Sequence, residues 1–289
     1  MIGKKKTSPE QVALKDPNTG FLVYKPEDVK RVSLEYCVNL LSTKPPKAGY
    51  EQIFKDNEMM HNIRMKEIIE NDIEELPIEI FHETIKRLKS KPGNKYDFLI
   101  KGGTGLKSAL FNLFKTVWKE EKLPNGWTAS TVIHLYKHQG SLNELSNFRH
   151  IHDKLDIFKM FNQIVTHVAK ENIIENMSKY QIACVPNHRS SEHLFVIKSV
   201  MEYFQADGKG MILSGYDIKT YFESENIFDC MRELYESKVR GKVYRLIYEM
   251  NKQIKVKVKT PLEESDSKEA GSGPSQGNVD ANCIETGVK

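Results

Sequence analysis

The stretch from Met211 to Glu223, MILSGYDIKTYFE, contains an apolar run that ends at an acidic residue, Asp217. Its composition predicts a buried strand over Met211–Tyr216, followed by a polar turn and an aromatic side chain. Mg²⁺ prefers such carboxylates and usually takes one or two of them together with phosphate oxygens of the substrate. An acidic residue in this position also commonly caps the following helix. The stretch alone therefore leaves two interpretations open, a metal ligand and a helix cap.

The first 125 residues divide into a polar lead-in and a part with helical pattern. Residues 1–49 are rich in Lys, Pro, Asp, Asn and Gly, and we interpret them as a loosely structured lead-in. Helical spacing then predicts a helical N-terminal extension over 50–125, which ends with an amphipathic helix at Leu106–Glu120.

The remainder of the chain contains both strand-like and helix-like patterns. Thr131–Tyr136 has strand composition, and Ile254–Lys259 alternates strictly between apolar and basic residues, as a strand does. Apolar residues at helical spacing recur in four stretches, 158–168, 194–204, 227–234 and 243–250. Residues 263–277 are rich in Ser, Asp, Glu and Gly and predict a flexible loop. Together these patterns indicate an α+β fold.

Composition narrows the class of protein. Hydrophobic residues make up 39% of the 289 residues and charged residues 28%, which is typical of globular chains. No run approaches the roughly 18 apolar residues that cross a bilayer, and the N-terminus has no apolar signal segment, so we expect an intracellular protein without a membrane span. The net charge of +4 is compatible with a phosphate-rich partner, but many proteins share it.

The cysteines show no spacing typical of a disulfide framework or a zinc site. They are scattered through the chain, and we interpret all of them as ordinary thiols: Cys37, Cys184, Cys230 and Cys283.

Tyr216–Glu223 resembles the first palm motif of reverse transcriptases of the non-LTR retrotransposon kind. Other parts of the chain resemble that family in the same order, over roughly residues 50 to 278. The matching stretches are Trp118–Pro124 with Trp127, Leu135–Lys137, Asn147–Ile151, Met177–Gln181, His188–Arg189, Glu192–Leu194, Val239–Lys242 and Ser275–Gly277. Ordered agreement at separated sites is more specific than any single motif.

The resemblance implies a nucleotidyltransferase, an RNA-directed DNA polymerase with the right-hand architecture. The helical extension would be followed by a fingers-like region at 126–210 and a partial palm at 211–289. The complete enzyme would add deoxynucleotides to a primer 3′ end with Mg²⁺. Its partners would be an RNA template, a DNA primer and a dNTP.

The resemblance also assigns roles to charged residues. Asp217 would bind the catalytic metal, assisted by the backbone carbonyl of Ile218. Lys137 and Arg149 would hold the triphosphate, because phosphoryl transfer depends on positioning and charge stabilisation. Arg can grip a phosphate through two parallel hydrogen bonds, whereas Lys acts as a compact charge. The alternative is that both are ordinary basic residues of the surface.

Three further residues would contact the nucleotide. By the resemblance, Phe222 would lie beneath the sugar, where a 2′-hydroxyl would clash with its ring, and this implies a preference for deoxynucleotides. The alternative is a core Phe at the foot of the strand. Gln276 and Gly277 would offer an amide and a backbone without a Cβ where the nucleotide approaches closely.

The sequence departs from the family pattern in three places. Glu223 replaces a second Asp, and Asn278–Thr286 lacks the usual small-polar and apolar helix start. No aromatic-x-Asp-Asp motif occurs, and the only Asp after the Gln-Gly pair is Asp280. A two-metal site holds its ions about 3.5–4 Å apart with ligands on both flanks. We therefore expect the N-terminal part of such an enzyme, inactive as a polymerase by itself.

Two alternatives remain open at this point. One is a non-catalytic nucleic-acid-binding or interaction protein built on a decayed polymerase scaffold. The other is a relic that does not fold stably, because half a palm would leave strand edges unpaired.

Overall fold

A computed structural model describes residues 13–42, 49–70, 72–88, 97–182, 185, 187–217, 226–261 and 263–271. The described helices are α1 (Pro26–Leu41), α2 (Glu51–Arg64), α3 (Ile78–Arg87), α4 (Asp97–Lys101), α5 (Thr104–Glu120), α6 (Asp156–Asn176), α7 (Ser190–Ala206), α8 (Ile227–Glu236) and α9 (Gly241–Asn251). The described strands are β1 (Leu14–Lys15), β2 (Leu22–Val23), β3 (Ala129–Tyr136), β4 (Phe148–Lys154), β5 (Lys255–Lys259) and β6 (Lys268–Glu269). This mixture confirms the α+β class. None of the described helices is long and apolar enough to cross a membrane.

The main sheet has four strands in the order β4-β3-β5-β6. β3 pairs antiparallel with β4 and parallel with β5, and β5 pairs antiparallel with β6. The alternation of valine and lysine along β5 puts Val256 and Val258 on a buried face, since successive side chains of a strand point to opposite sides. The strands predicted at Thr131–Tyr136 and Ile254–Lys259 are therefore confirmed.

Helix α1 covers the buried face of this sheet. Its residues Leu34, Cys37 and Leu41 form one hydrophobic cluster with Val132 of β3 and the buried valines of β5. Pro26 occupies the first turn of the helix, where its missing N–H costs nothing. The sheet and α1 thus form the two layers of one unit.

The loosely structured lead-in expected for residues 1–49 is wrong for 13–42. That range forms the β1–β2 hairpin and α1, and Leu14 is fully buried beside Val29 and Val32. The apolar residues of α1 recur at helical spacing, and they can be buried because the sheet faces them. The prediction from composition was wrong because it gave the polar residues of this range more weight than the spacing of its apolar residues.

A larger core lies among the helices. It contains residues of α3, α5, α6, α8 and α9, with Trp118, Phe161 and Leu246 fully buried at its centre. The helices predicted around 106–120, 158–168, 227–234 and 243–250 are confirmed, and α3 lies within the range 50–125 that was predicted to be helical. Helices from distant parts of the sequence thus share one core.

The strand predicted for Met211–Tyr216 is wrong. Residues 211–217 have no regular secondary structure, and the side chains of Ile212 and Tyr216 are 94% and 96% exposed. A strand needs a neighbour for its backbone hydrogen bonds, and none of the described strands pairs with this segment.

Helix α7 forms where the period predicted it, but its apolar side is not buried. Leu194 and Met201 are 65% and 52% exposed, and the helix has no buried residue.

The flexible loop expected at 263–277 is also corrected for residues 263–271. Ser265 and β6 bond to β5, because a lysine-rich edge strand offers free backbone groups and charge partners.

Candidate functional site

The β3–β4 hairpin brings together the two cations assigned to the triphosphate. Leu135 lies opposite Arg149, and the backbone N–H of Lys137 donates to the carbonyl of Asn147 over 2.9 Å. Opposite residues of an antiparallel pair share a face, and residues two apart along a strand do so too. Lys137 and Arg149 are therefore diagonal neighbours on one face of the hairpin.

The loop of this hairpin is held by its own hydrogen bonds. The side-chain amide of Asn147 donates to the Ser141 carbonyl over 2.9 Å, and the Tyr136 hydroxyl donates to the Gly140 carbonyl over 2.6 Å. Gly140 has φ of +77°, and a Cβ there would lie 2.5 Å from the Asn147 amide nitrogen. A glycine is thus required for the loop to close against Asn147, whose carbonyl accepts the Lys137 N–H.

The same face of the sheet continues into β5. Lys257 lies beside Thr131 and Lys259 beside Ile133, so the lysines of β5 point away from α1. We call this surface the basic face, and its cations are Lys137, Arg149, Lys255, Lys257 and Lys259.

Some cations of the basic face are neutralised locally. Lys255 pairs with Glu269 at 3.6 Å, and Lys257 pairs with Glu264 at 2.9 Å. The hydrogen bond from Lys257 lowers the pKa of the Glu264 carboxyl, which keeps that pair ionised.

The other cations of the basic face remain available to a ligand. Within the described ranges, Lys137, Arg149 and Lys259 form no ion pair, and all three are exposed. Among the residues that the structure describes, the only hydrogen bond of the Lys137 ammonium goes to the Ser146 carbonyl, over 3.0 Å. Unpaired exposed cations on one face favour a polyanionic ligand such as a phosphate chain.

Asp217 does not belong to a metal centre among the described residues. It is exposed, it has no hydrogen bond or ion pair there, and it is not part of a group of three metal-ligating side chains. The other residues assigned to the nucleotide or metal lie outside the described residues: Ile218, Phe222, Gln276 and Gly277.

The opposite face of the hairpin is lined with histidines that the sequence analysis did not single out. The Nδ1 atoms of His134 and His150 are 2.8 Å apart, and Nδ1 of His152 is 2.9 Å from the Ser130 hydroxyl oxygen. Burial lowers the pKa of His134 and His152 to about 3 and that of His150 to about 4. The positive charge of Lys137 lowers the pKa of His150 further.

A cysteine joins this histidine pair. Cys37 of α1 lies with His134 and His150 so that one potential ligand atom from each is within 4.8 Å of the others. The spacing of the cysteines argued against a zinc site, but cysteine spacing cannot detect ligands from a helix and two strands. The alternation His150-Ile151-His152 was the available signal, since it places both rings on one face.

The hairpin thus has one cationic side and one side lined by imidazoles and a thiol. The cationic side can bind phosphates, and the buried side can hold neutral imidazoles. Neither a protein-family model nor a curated protein significantly matches this sequence.

Proposed function

We propose that this chain is the nucleotide-holding part of a reverse-transcriptase-like polymerase, and that the basic face binds the polyphosphate of a dNTP or the backbone of a nucleic acid. The observation that carries the proposal is that Lys137 and Arg149 are neighbours on one face of an ordered hairpin. The order of motifs along the chain supports the finer assignment to the non-LTR retrotransposon kind.

The two cations would act differently on a triphosphate. The Arg149 guanidinium would bind two oxygens of one phosphate in a fork, while the Lys137 ammonium would supply a compact charge to another. The ordered loop fixes the backbone of Lys137, so little conformational freedom is lost when the ligand binds. In the complete enzyme, Mg²⁺ would neutralise the transferring phosphates, with an RNA template and a DNA primer as partners.

Binding of a fluorescent dNTP to the purified chain tests this proposal. Lys137→Ala and Arg149→Ala should each weaken binding by about tenfold or more, because each removes a charge-assisted hydrogen bond worth about 1.5–3 kcal/mol. Lys86→Ala and Arg87→Ala on α3 are matched controls, since they remove the same charges from exposed positions. Equal loss in the control variants, or no loss at Lys137 and Arg149, would refute the proposed role of the hairpin.

A non-catalytic nucleic-acid-binding protein is the second candidate. The exposed cations Lys137, Arg149 and Lys259 favour it, because they suit the phosphate backbone of a nucleic acid and require no metal centre. In that case RNA binding should weaken steeply with salt, and each substitution that removes a phosphate-binding cation should reduce the salt slope by about 1.

Primer extension on an RNA template separates the two candidates. We expect none from these 289 residues, in which no aromatic-x-Asp-Asp motif occurs. Extension that Asp217→Ala abolishes would establish catalysis instead. Salt-dependent RNA binding without any affinity for dNTP would favour the second candidate.

A further inference from the structure

Three potential metal ligands meet between α1 and the buried face of the β3–β4 hairpin. Cys37 comes from the helix, His134 from β3 and His150 from β4, and their ligand atoms lie within 4.8 Å of one another. Cys37 and His150 are 1% and 5% exposed. Because the three residues are far apart in sequence, only the folded sheet and its covering helix assemble them.

One atom of the cluster lacks a partner. Nε2 of His134 is buried, and within the described part of the chain it makes no hydrogen bond. A buried polar nitrogen without a partner costs free energy, and native structures contain few of them.

The contact between the two rings shows that at least one of them is in the form that binds metals. The 2.8 Å contact between their Nδ1 atoms requires one ring to donate and the other to accept, so at least one of them is neutral. A neutral imidazole keeps a lone pair for coordination.

We propose that Cys37, His134 and His150 form a binding site for a divalent transition-metal ion of borderline softness, Zn²⁺ in particular. One thiolate and two imidazoles suit such an ion, whereas Mg²⁺ prefers oxygen ligands. On binding, the Cys37 thiol releases its proton to solvent and the thiolate offsets one charge of the ion. Three protein ligands leave a fourth tetrahedral position for water or another group.

The ion would join α1 to the hairpin that carries the basic face. Metal binding to the folded state alone stabilises that state, so the site would strengthen the sheet layer. This inference does not depend on the proposed function, because it concerns the opposite face of the hairpin.

Cobalt titration of the full chain, stripped of metal with a chelator, tests the site. We expect one Co²⁺ per chain, a thiolate-to-cobalt charge-transfer band, and visible ligand-field bands typical of four-coordination. Excess Zn²⁺ should remove the bands and raise the melting temperature. Cys37→Ser should lose the charge-transfer band, and His134→Gln or His150→Gln should weaken binding at least tenfold.

Matched variants separate the cluster from other thiols and imidazoles. Cys230→Ser replaces a buried cysteine of the helical core, and His61→Gln replaces a buried histidine outside the cluster. Both should bind Co²⁺ as the unmodified chain does. A band that survives Cys37→Ser, or the absence of any thiolate band in the unmodified chain, would overturn the proposal.

Should the cluster variants fail to fold, alkylation of the unmodified chain decides the question. Zn²⁺ should slow the reaction of Cys37 at least tenfold, measured by peptide mass mapping, and should slow Cys230 less. Equal rates at Cys37 with and without Zn²⁺ would also overturn the proposal.

Discussion

His61 shows how a single residue can make stability depend on pH. It is 1% exposed, and its Nδ1 is 2.9 Å from the Tyr244 hydroxyl. Burial, reinforced by the charge of Arg64, lowers its pKa to about 4, while an unfolded histidine titrates near 6.5. The unfolded chain therefore binds the proton more tightly. The surrounding rings are those of Phe228, Tyr244 and Tyr248.

The free energy of unfolding should consequently fall as the pH drops from 6.5 towards 4. Well above pH 6.5 both states are neutral at His61, and this residue has no effect; between pH 7 and pH 5 it should cost about 2 kcal/mol. His61→Gln should reduce the loss by that amount, measured by urea unfolding at both pH values. His82→Gln, at an exposed position of α3, should keep the original loss. Identical losses for His61→Gln and the unmodified chain would contradict the assignment.

At the scale of elements, α9 depends on an acidic residue from a distant loop. Asp72 accepts the backbone N–H of Lys242 over 2.7 Å and lies 3.3 Å from the Arg245 guanidinium. Gly241 has φ of +61°, and a Cβ there would lie 2.5 Å from the Asp72 carboxylate. The loop between α2 and α3 thus caps a helix that follows it by about 170 residues.

Asp72→Ala should lower the free energy of unfolding by about 1–2 kcal/mol, because it removes both the cap and the negative charge at a helix N-terminus. Asp72→Asn, which keeps an acceptor oxygen, should cost less. Denaturant unfolding measures both. Glu70→Ala, an exposed acidic residue of the same loop, should change stability by less than about 0.5 kcal/mol. An Asp72→Ala variant as stable as Glu70→Ala would show that the cap contributes nothing.

At the scale of the whole molecule, the helical core contains residues from all three segments that the resemblance predicted, the extension, the fingers-like region and the partial palm. Phe114 of α5 is fully buried, with its ring 6.0 Å from Phe81, 6.2 Å from Trp127 and 5.4 Å from Phe161. The same cluster includes Met231 of α8 and residues of α9. Such a core should unfold as one unit.

Phe114→Ala should lower the free energy of unfolding by about 3–5 kcal/mol, because it leaves a large cavity among rings that cannot collapse into it. Tryptophan fluorescence and far-ultraviolet circular dichroism should report the same shifted transition. Leu113→Ala, at a 39% exposed position of the same helix, should cost much less. Equal costs for the two variants, or separate transitions for the two probes, would contradict a shared core.

The period of apolar residues determined most of the elements. It specified α5, α6, α8, α9 and β5, because burial of one face imposes a repeat of 3.6 or 2 residues that the sequence displays directly. Strand composition, not the period, indicated β3. The family resemblance, not the period, identified Lys137 and Arg149, and their position on one face follows once β3 and β4 pair. For Met211–Tyr216 the apolar signal misled, since an apolar run says nothing about the presence of a neighbouring strand.

What only the tertiary structure decided are the contacts between distant residues. The placement of α1 over the sheet, the Asp72 cap and the cluster of Cys37, His134 and His150 all join parts of the chain that no local pattern connects. The sequence by itself determined which segments have apolar faces and which bear charge. The fold decided which faces meet, because packing depends on shape and pairing across the whole chain.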